Sequence, residues 1–220
     1  MMQLSLFPLN SVLFPGMPLR LHIFEERYKE MINECIDTQQ PFGVVLIEDG
    51  RVEGGAMAKP HMIGTTAHIS QVQRLAYGRM NILAVGRDRF RINQLDMTAR
   101  SFLTGDVDLL PLVRPDDAML SHYIDRLQPL LERYLTSLSE AGQVKFDSEQ
   151  FPTDPMSIAY LGAVLLQAED HVKQDILESA DTQDLLIKLL RMYRKEVSLI
   201  DVLLSPPEDE EHNDTPFSLS

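Results

Sequence analysis

LFPLNSVLFPGMPLRLHIFEERYKEMI, residues 6–32, changes its hydrophobic period within its own length, and that change decides the fold. Leu4 and Leu6, then Leu19, Leu21 and Ile23, alternate with other side chains as half-buried strands do. Between the two runs Pro15-Gly16 is a turn signal. From Phe24 onward the spacing becomes helical: Phe24, Tyr28, Met31, Ile32 and Cys35 share a stripe, with Glu25 and Glu26 in the first turn, where the helix dipole favours carboxylates.

Downstream the strand signal resumes. Residues 42–47 are an apolar run of strand length closed by the hairpin signal Asp49-Gly50. Further strands are expected over residues 63–75, 81–85, 89–95 and 102–110, with Tyr77-Gly78 and Arg87-Asp88 as connecting turns. Several short strands at regular spacing imply a closed or nearly closed barrel, which protects the strand edges.

After Pro111 and Pro115 the period becomes 3.6. Asp116 or Asp117 caps a helix carrying Leu120, Ile124, Leu127, Leu131 and Leu135, which Pro129 kinks or splits, and a loop follows Ala141-Gly142. Asp154-Pro155 starts a second helix, residues 172–178 a short third, and Asp181 a long fourth bearing Leu185, Leu189, Met192, Tyr193 and Leu203. The fold class is therefore α+β: a strand-rich lobe with one helix over residues 1–115, then a helical bundle over 116–204. Residues 205–220 form an acidic tail with too little apolar content to pack.

The net charge of −13 is unevenly placed. Residues 1–115 are neutral, residues 116–204 carry −8 and residues 205–220 carry −5. So acidic a surface repels phosphate backbones and anionic lipid at long range, which weighs against nucleic acid and membranes as partners. The uncharged first nineteen residues are a poor secretory leader: they contain no basic n-region, and Pro8, Pro15 and Pro18 break an apolar helix. A single cysteine, Cys35, excludes an intramolecular disulfide, and a cytoplasmic location is expected.

The chemistry-bearing patterns fail at the residues that matter. Gly50 and Gly55 have the outer spacing of a phosphate-binding loop, but Ala56 and Met57 stand where Lys and Ser/Thr are needed. The six histidines show no metal-ligand spacing. The acidic pairs Glu25-Glu26, Asp116-Asp117 and Glu169-Asp170 fit helix starts and solvated turns better than catalysis. No cofactor, metal or catalytic residue is expected. Arg87, Arg89 and Arg91 alternate and would share one strand face, an anion or RNA surface in one reading and an ordinary solvated face in the other.

The stretch over residues 6–32 resembles the opening signature of the LON domain, the N-terminal module of Lon proteases. The likeness continues through FGVV from Phe42, IGTTAHI from Ile63, ILAVGRDRFRI from Ile82 and KQDILESADTQDLLIKL from Lys173. It implies a PUA-like β pseudo-barrel followed by a helical bundle, and a role in binding unfolded or extended polypeptide or a protein partner, as an adaptor platform does. Phe14, Pro15, Gly16, His22, Phe24, Glu25, Arg27 and Tyr28 match the family pattern, and turn geometry, capping or packing is the role expected of them. A Lon protease would continue into an ATPase and a Ser-Lys peptidase; this sequence ends at Ser220, so a stand-alone, non-enzymatic binding module is expected. The alternative is a PUA-like RNA binder using Arg87, Arg89 and Arg91. The polypeptide reading places binding in a groove where barrel meets bundle or along an open strand edge.

Overall fold

A computed structural model describes residues 2–49, 59–113, 115–140 and 151–204. Strands β1 (Met2–Leu9), β2 (Pro18–Ile23), β3 (Phe42–Asp49), β4 (Lys59–Pro60), β5 (Ile63–Arg74), β6 (Met80–Asp96) and β7 (Leu103–Leu109) form one sheet, with helix α1 (Glu26–Thr38) between β2 and β3. Its order is β1-β7-β6-β5-β3-β4, and β1 also pairs in parallel with β3, Leu6 opposite Gly43. That pairing closes five strands into a ring. Phe90 fills the interior with Leu4, Leu6, Ile92 and Val107. Gly43 makes the room: a Cβ there would lie 2.7 Å from the Phe90 ring and 2.8 Å from Leu4 and Leu6.

Arg87-Asp88 is not a turn. β6 runs unbroken for 17 residues, and its register against β5 slips by one residue there, Ala67 facing Gly86 and Thr65 facing Arg89. The extra residue is a β-bulge, which bends a strand without ending it. The Asp88 amide, displaced from the ladder, donates instead to Thr66 Oγ1 at 3.0 Å. Polar residues at a bulge look like a turn locally, because both contain backbone groups that leave the ladder.

Helix α1 also begins later than its spacing suggests. Glu25 is the extended N-cap residue, and Phe24 precedes the helix, 54% exposed, rather than joining the buried stripe. Tyr28, Met31, Ile32 and Cys35 do form that stripe and pack on Ile23, Met80, Ile82 and Ala84.

The helical segment contains α2 (Asp117–Glu140), α3 (Pro155–Leu165), α4 (Asp170–Leu177) and α5 (Thr182–Leu204). Asp116 caps α2 by accepting the Met119 amide at 2.8 Å, Asp154 caps α3 through Ser157 at 2.8 Å, and Asp181 caps α5 through Asp184 at 2.8 Å. Pro129 does not split α2, which is continuous through it. Leu127, Leu131 and Tyr134 of α2 pack with Leu186, Leu189 and Tyr193 of α5 in the helical core, and the buried Tyr193 hydroxyl donates to Gly162 O at 2.7 Å. Val12, Phe14 and Leu46 of the strand half belong to the same apolar cluster, so the junction is packed. The expected hairpin turn at Gly50, the loop at Ala141-Gly142 and the acidic tail lie outside the described residues.

Candidate functional site

The half of β6 before the bulge sits between two strands. β2 pairs with it from Pro18 opposite Val85 to Ile23 opposite Met80, and the end of β5 pairs on its other side, Gln71 opposite Leu83 and Gln73 opposite Asn81. This three-stranded ribbon extends beyond the closed ring. Leu19, Leu21 and Ile23 point toward α1. Alternation then turns Arg20 and His22 outward, both exposed, beside Asn81 and Leu83.

The outward face is a shallow groove of about 590 Å³ lined by Arg20, His22, Gln71, Gln73, Asn81 and Leu83. A polar chain crosses it: His22 Nδ1 donates to Asn81 Oδ1 at 2.7 Å, and Asn81 Nδ2 donates to Gln73 Oε1 at 3.1 Å. Cross-strand bonds of this kind hold side chains in one register. Among the described residues β2 has no strand on its other side. That open edge adjoins a second, mainly apolar cleft, about 180 Å³, formed by Phe7, Leu9, Leu21, Ile23, Phe24 and Tyr28 with His22 and Glu25.

At the far end of the ribbon, Tyr77 occupies the tip between β5 and β6 with φ of 61° and 86% of its surface exposed. The left-handed conformation is costly for an aromatic residue. Lys29 Nζ, donating to Tyr77 O at 2.9 Å, and the Leu75 amide, donating to Arg79 O at 2.8 Å, hold the tip in place.

The residues singled out in the sequence separate into three groups. Phe14, Pro15 and Gly16 form a turn remote from the groove. Gly16 has φ of 81° and donates its amide to Gly86 O at 2.9 Å, and Gly86 answers with its own amide to Met17 O at 3.0 Å. Phe14 is buried against the helices. His22, Phe24, Glu25, Arg27 and Tyr28 gather at the end of β2. The His22 and Phe24 rings stack at 5.9 Å, Arg27 pairs with Glu25 at 2.8 Å and lies 4.6 Å over the Tyr28 ring, and Tyr28 stacks on Phe7 at 4.1 Å. Burial pushes the Tyr28 hydroxyl pKa up, with Arg27 partly opposing it.

Arg87, Arg89 and Arg91 do not share a face. Arg87 and Arg91 are exposed, whereas Arg89 is 4% exposed and reaches the helical half. The bulge between Arg87 and Arg89 resets the alternation there, and the helical half packs over Arg89 but not Arg91, so the arginine surface expected from the spacing is not formed. Burial also pushes the Arg89 pKa down from the ordinary arginine value.

Arg20, Gln73, Asn81 and Tyr77 were missed by sequence reasoning. The alternation of Arg20 with Leu21 was a usable signal. The pairing of β2 with β6, sixty residues away in sequence, was not.

A strand ring with one covering helix, an extended ribbon and a packed set of helices defines a class already known from solved structures. A Lon N-terminal domain protein from Xanthomonas campestris superposes with a TM-score of 0.59 at 24% identity, covering 87% of this chain and 98% of that one. The N-terminal domain of the Mycobacterium avium complex Lon protease does so with a TM-score of 0.59 at 18% identity, covering 90% and 98%. The Lon protease of Parabacteroides distasonis is 23% identical over 198 residues, 89% of this chain and 24% of that protein. The Paraburkholderia phytofirmans Lon protease is 29% identical over 182 residues, 82% and 22%. This chain thus spans about a quarter of the length of the Lon proteases it matches.

The family model described as the ATP-dependent protease La (LON) substrate-binding domain matches residues 3–195. The chain belongs to that family.

Proposed function

We propose that this protein is a recognition module for extended polypeptide and that β2 is where the polypeptide binds. The observation that carries this reading is the one-sided pairing of β2, with the exposed Phe24 at its end and an apolar cleft alongside. An exposed strand edge supplies backbone donors and acceptors in register, and an adjoining cleft takes alternate side chains of a bound segment. The substrate-binding description of the matched family supports a polypeptide ligand. Among the described residues no helix is long and apolar enough to cross a membrane, and no three His, Cys, Asp or Glu side chains are placed to hold a metal ion.

On this reading the chain works by binding alone, as an adaptor or holdase in the cytoplasm. Chemically unfolded clients, each mixed with the purified protein, test it. Slower aggregation and co-elution are expected for clients with exposed apolar segments, and no effect across a panel of several would sink the proposal.

A further inference from the structure

The ribbon is basic on an acidic protein. Residues 18–23 and 69–87, which make up its three strand segments and its tip, contain Arg20, Arg74, Arg79 and Arg87 and no Asp or Glu, although the whole chain carries −13. Arg74 donates to Asn33 Oδ1 at 3.1 Å, and Arg79 lies 5.7 Å from the Tyr77 ring. Arg20 and Arg87 are exposed, and no ion-pair or hydrogen-bond partner engages either side chain among the described residues. Two carboxylates just past the end of β2 are already engaged, Glu25 with Arg27 at 2.8 Å and Glu26 with Lys29 at 2.7 Å, while Asp88 follows Arg87 directly in the chain. A positive strip left open on a chain of opposite net charge is electrostatically suited to an acidic ligand.

Resting on the polypeptide reading above, we infer that the β2 edge selects segments in which acidic and apolar residues alternate. The periodicity of β2 sets the pattern. A strand added to its open edge presents side chains alternately to the two faces of the extended sheet. On one face lie Arg20 and His22, with the groove floored by Asn81 and Gln73. On the other lie Leu9, Leu21 and Ile23 of the cleft, whose rim His22, Phe24 and Glu25 also line. Carboxylates therefore fall beside Arg20 and apolar side chains fall in the cleft. A register slip of one residue would place carboxylates in the apolar cleft, which makes the pattern selective. Pro18 begins β2, leaving residues 19–23 to pair with the guest.

The test uses the full chain and a fluorescein-labelled nonapeptide alternating Glu with Val and Phe, followed by anisotropy. Three comparison ligands accompany it: the same peptide with Lys for Glu, the acidic peptide N-methylated at alternate backbone nitrogens, and oligouridylate RNA. The acidic peptide is expected to bind, to weaken as salt is raised, and to bind about tenfold more weakly to Arg20→Glu. The Lys and N-methylated peptides are expected to fail. Arg20 is exposed, so Arg20→Glu should melt like the parent protein, and Arg20→Ala serves as a milder second variant. Equal binding of the N-methylated or Lys peptide, an unchanged affinity in both Arg20 variants, or displacement by RNA at equal concentration would overturn the inference. If unfolded clients are retained while the acidic peptide is ignored, polypeptide binding stands and the β2 assignment falls. If neither is bound, both fall.

Discussion

Arg89 Nη2 donates to the carbonyl oxygen of Ser179 at 2.8 Å, and both residues are buried. The bond spans ninety positions and joins the β6 bulge to the turn between α4 and α5. A second bond runs alongside it, from Gln174 Nε2 to Ile63 O at 2.9 Å. With Val12, Phe14 and Leu46 packed into the helical cluster, strands and helices share one interface that is apolar at its centre and crossed by these polar bonds, although among the described residues Arg89 Nε and Gln174 Oε1 are buried without a hydrogen-bond partner.

Arg89→Ala should destabilise the protein by about 2–4 kcal/mol, because it strands the Ser179 carbonyl and removes the buried alkyl stem. Arg89→Met keeps the stem and removes the cost of burying a cation, so its loss should be smaller, about 1–2 kcal/mol. Arg87→Ala and Arg91→Ala, at exposed positions, should stay within about 0.5 kcal/mol. Urea denaturation of the four variants checks the order, and equal losses at positions 87 and 89 would contradict it.

Two glycines where the Phe14–Gly16 turn docks on β6, Gly16 of the turn and Gly86 of the strand, should respond differently to alanine. A Cβ at Gly86 would stand 2.3 Å from the Phe14 carbonyl oxygen, a backbone atom that cannot rotate away, so Gly86→Ala should cost about 3 kcal/mol. Gly16 has open space around it, and its φ of 81° alone should make Gly16→Ala cost about 1–2 kcal/mol. Thermal melts rank the pair, and the reverse order would refute the docking described for this turn.

Burial, with Glu34 adding to it, pushes the Cys35 thiol from 9.0 up to about 11. The folded value lies above the unfolded one, so the folded state holds its proton longer. Its contribution is complete below pH 9 and is lost as pH rises toward 11, roughly 2–3 kcal/mol in all. Comparing Cys35→Ala with the parent in urea at pH 8 and pH 11 isolates this effect, since the buried tyrosines are common to both. The stability gap should narrow at the higher pH, and a constant gap would refute it. A thiol reagent at pH 8 should leave the folded protein unlabelled.

The helix starts were legible because capping is local. Asp116, Asp154 and Asp181 each accept an amide three residues ahead, and that distance is written in the chain. Phe24 shows where the same logic fails: helical spacing carries backward past the cap, while the backbone at Glu25 is still extended. At Arg87-Asp88, polar residues and a preceding glycine signal an interruption of pairing, but whether the chain reverses or bulges depends on the strand opposite. Thr66 and the Phe14 carbonyl, not the pair itself, decided for a bulge.

By itself the sequence determined the α+β class, the switch from alternation to helical period near Pro115, and the family motif, because each rests on neighbours within a turn or a strand. The tertiary structure alone decided that β1 meets β3 in parallel, that β2 lies against β6 and leaves an edge open, and that Arg89 turns inward while Arg20 faces the groove. These outcomes join positions tens of residues apart. They are settled by which strands and helices pack together once the ring closes, and local propensity carries no information about such partners.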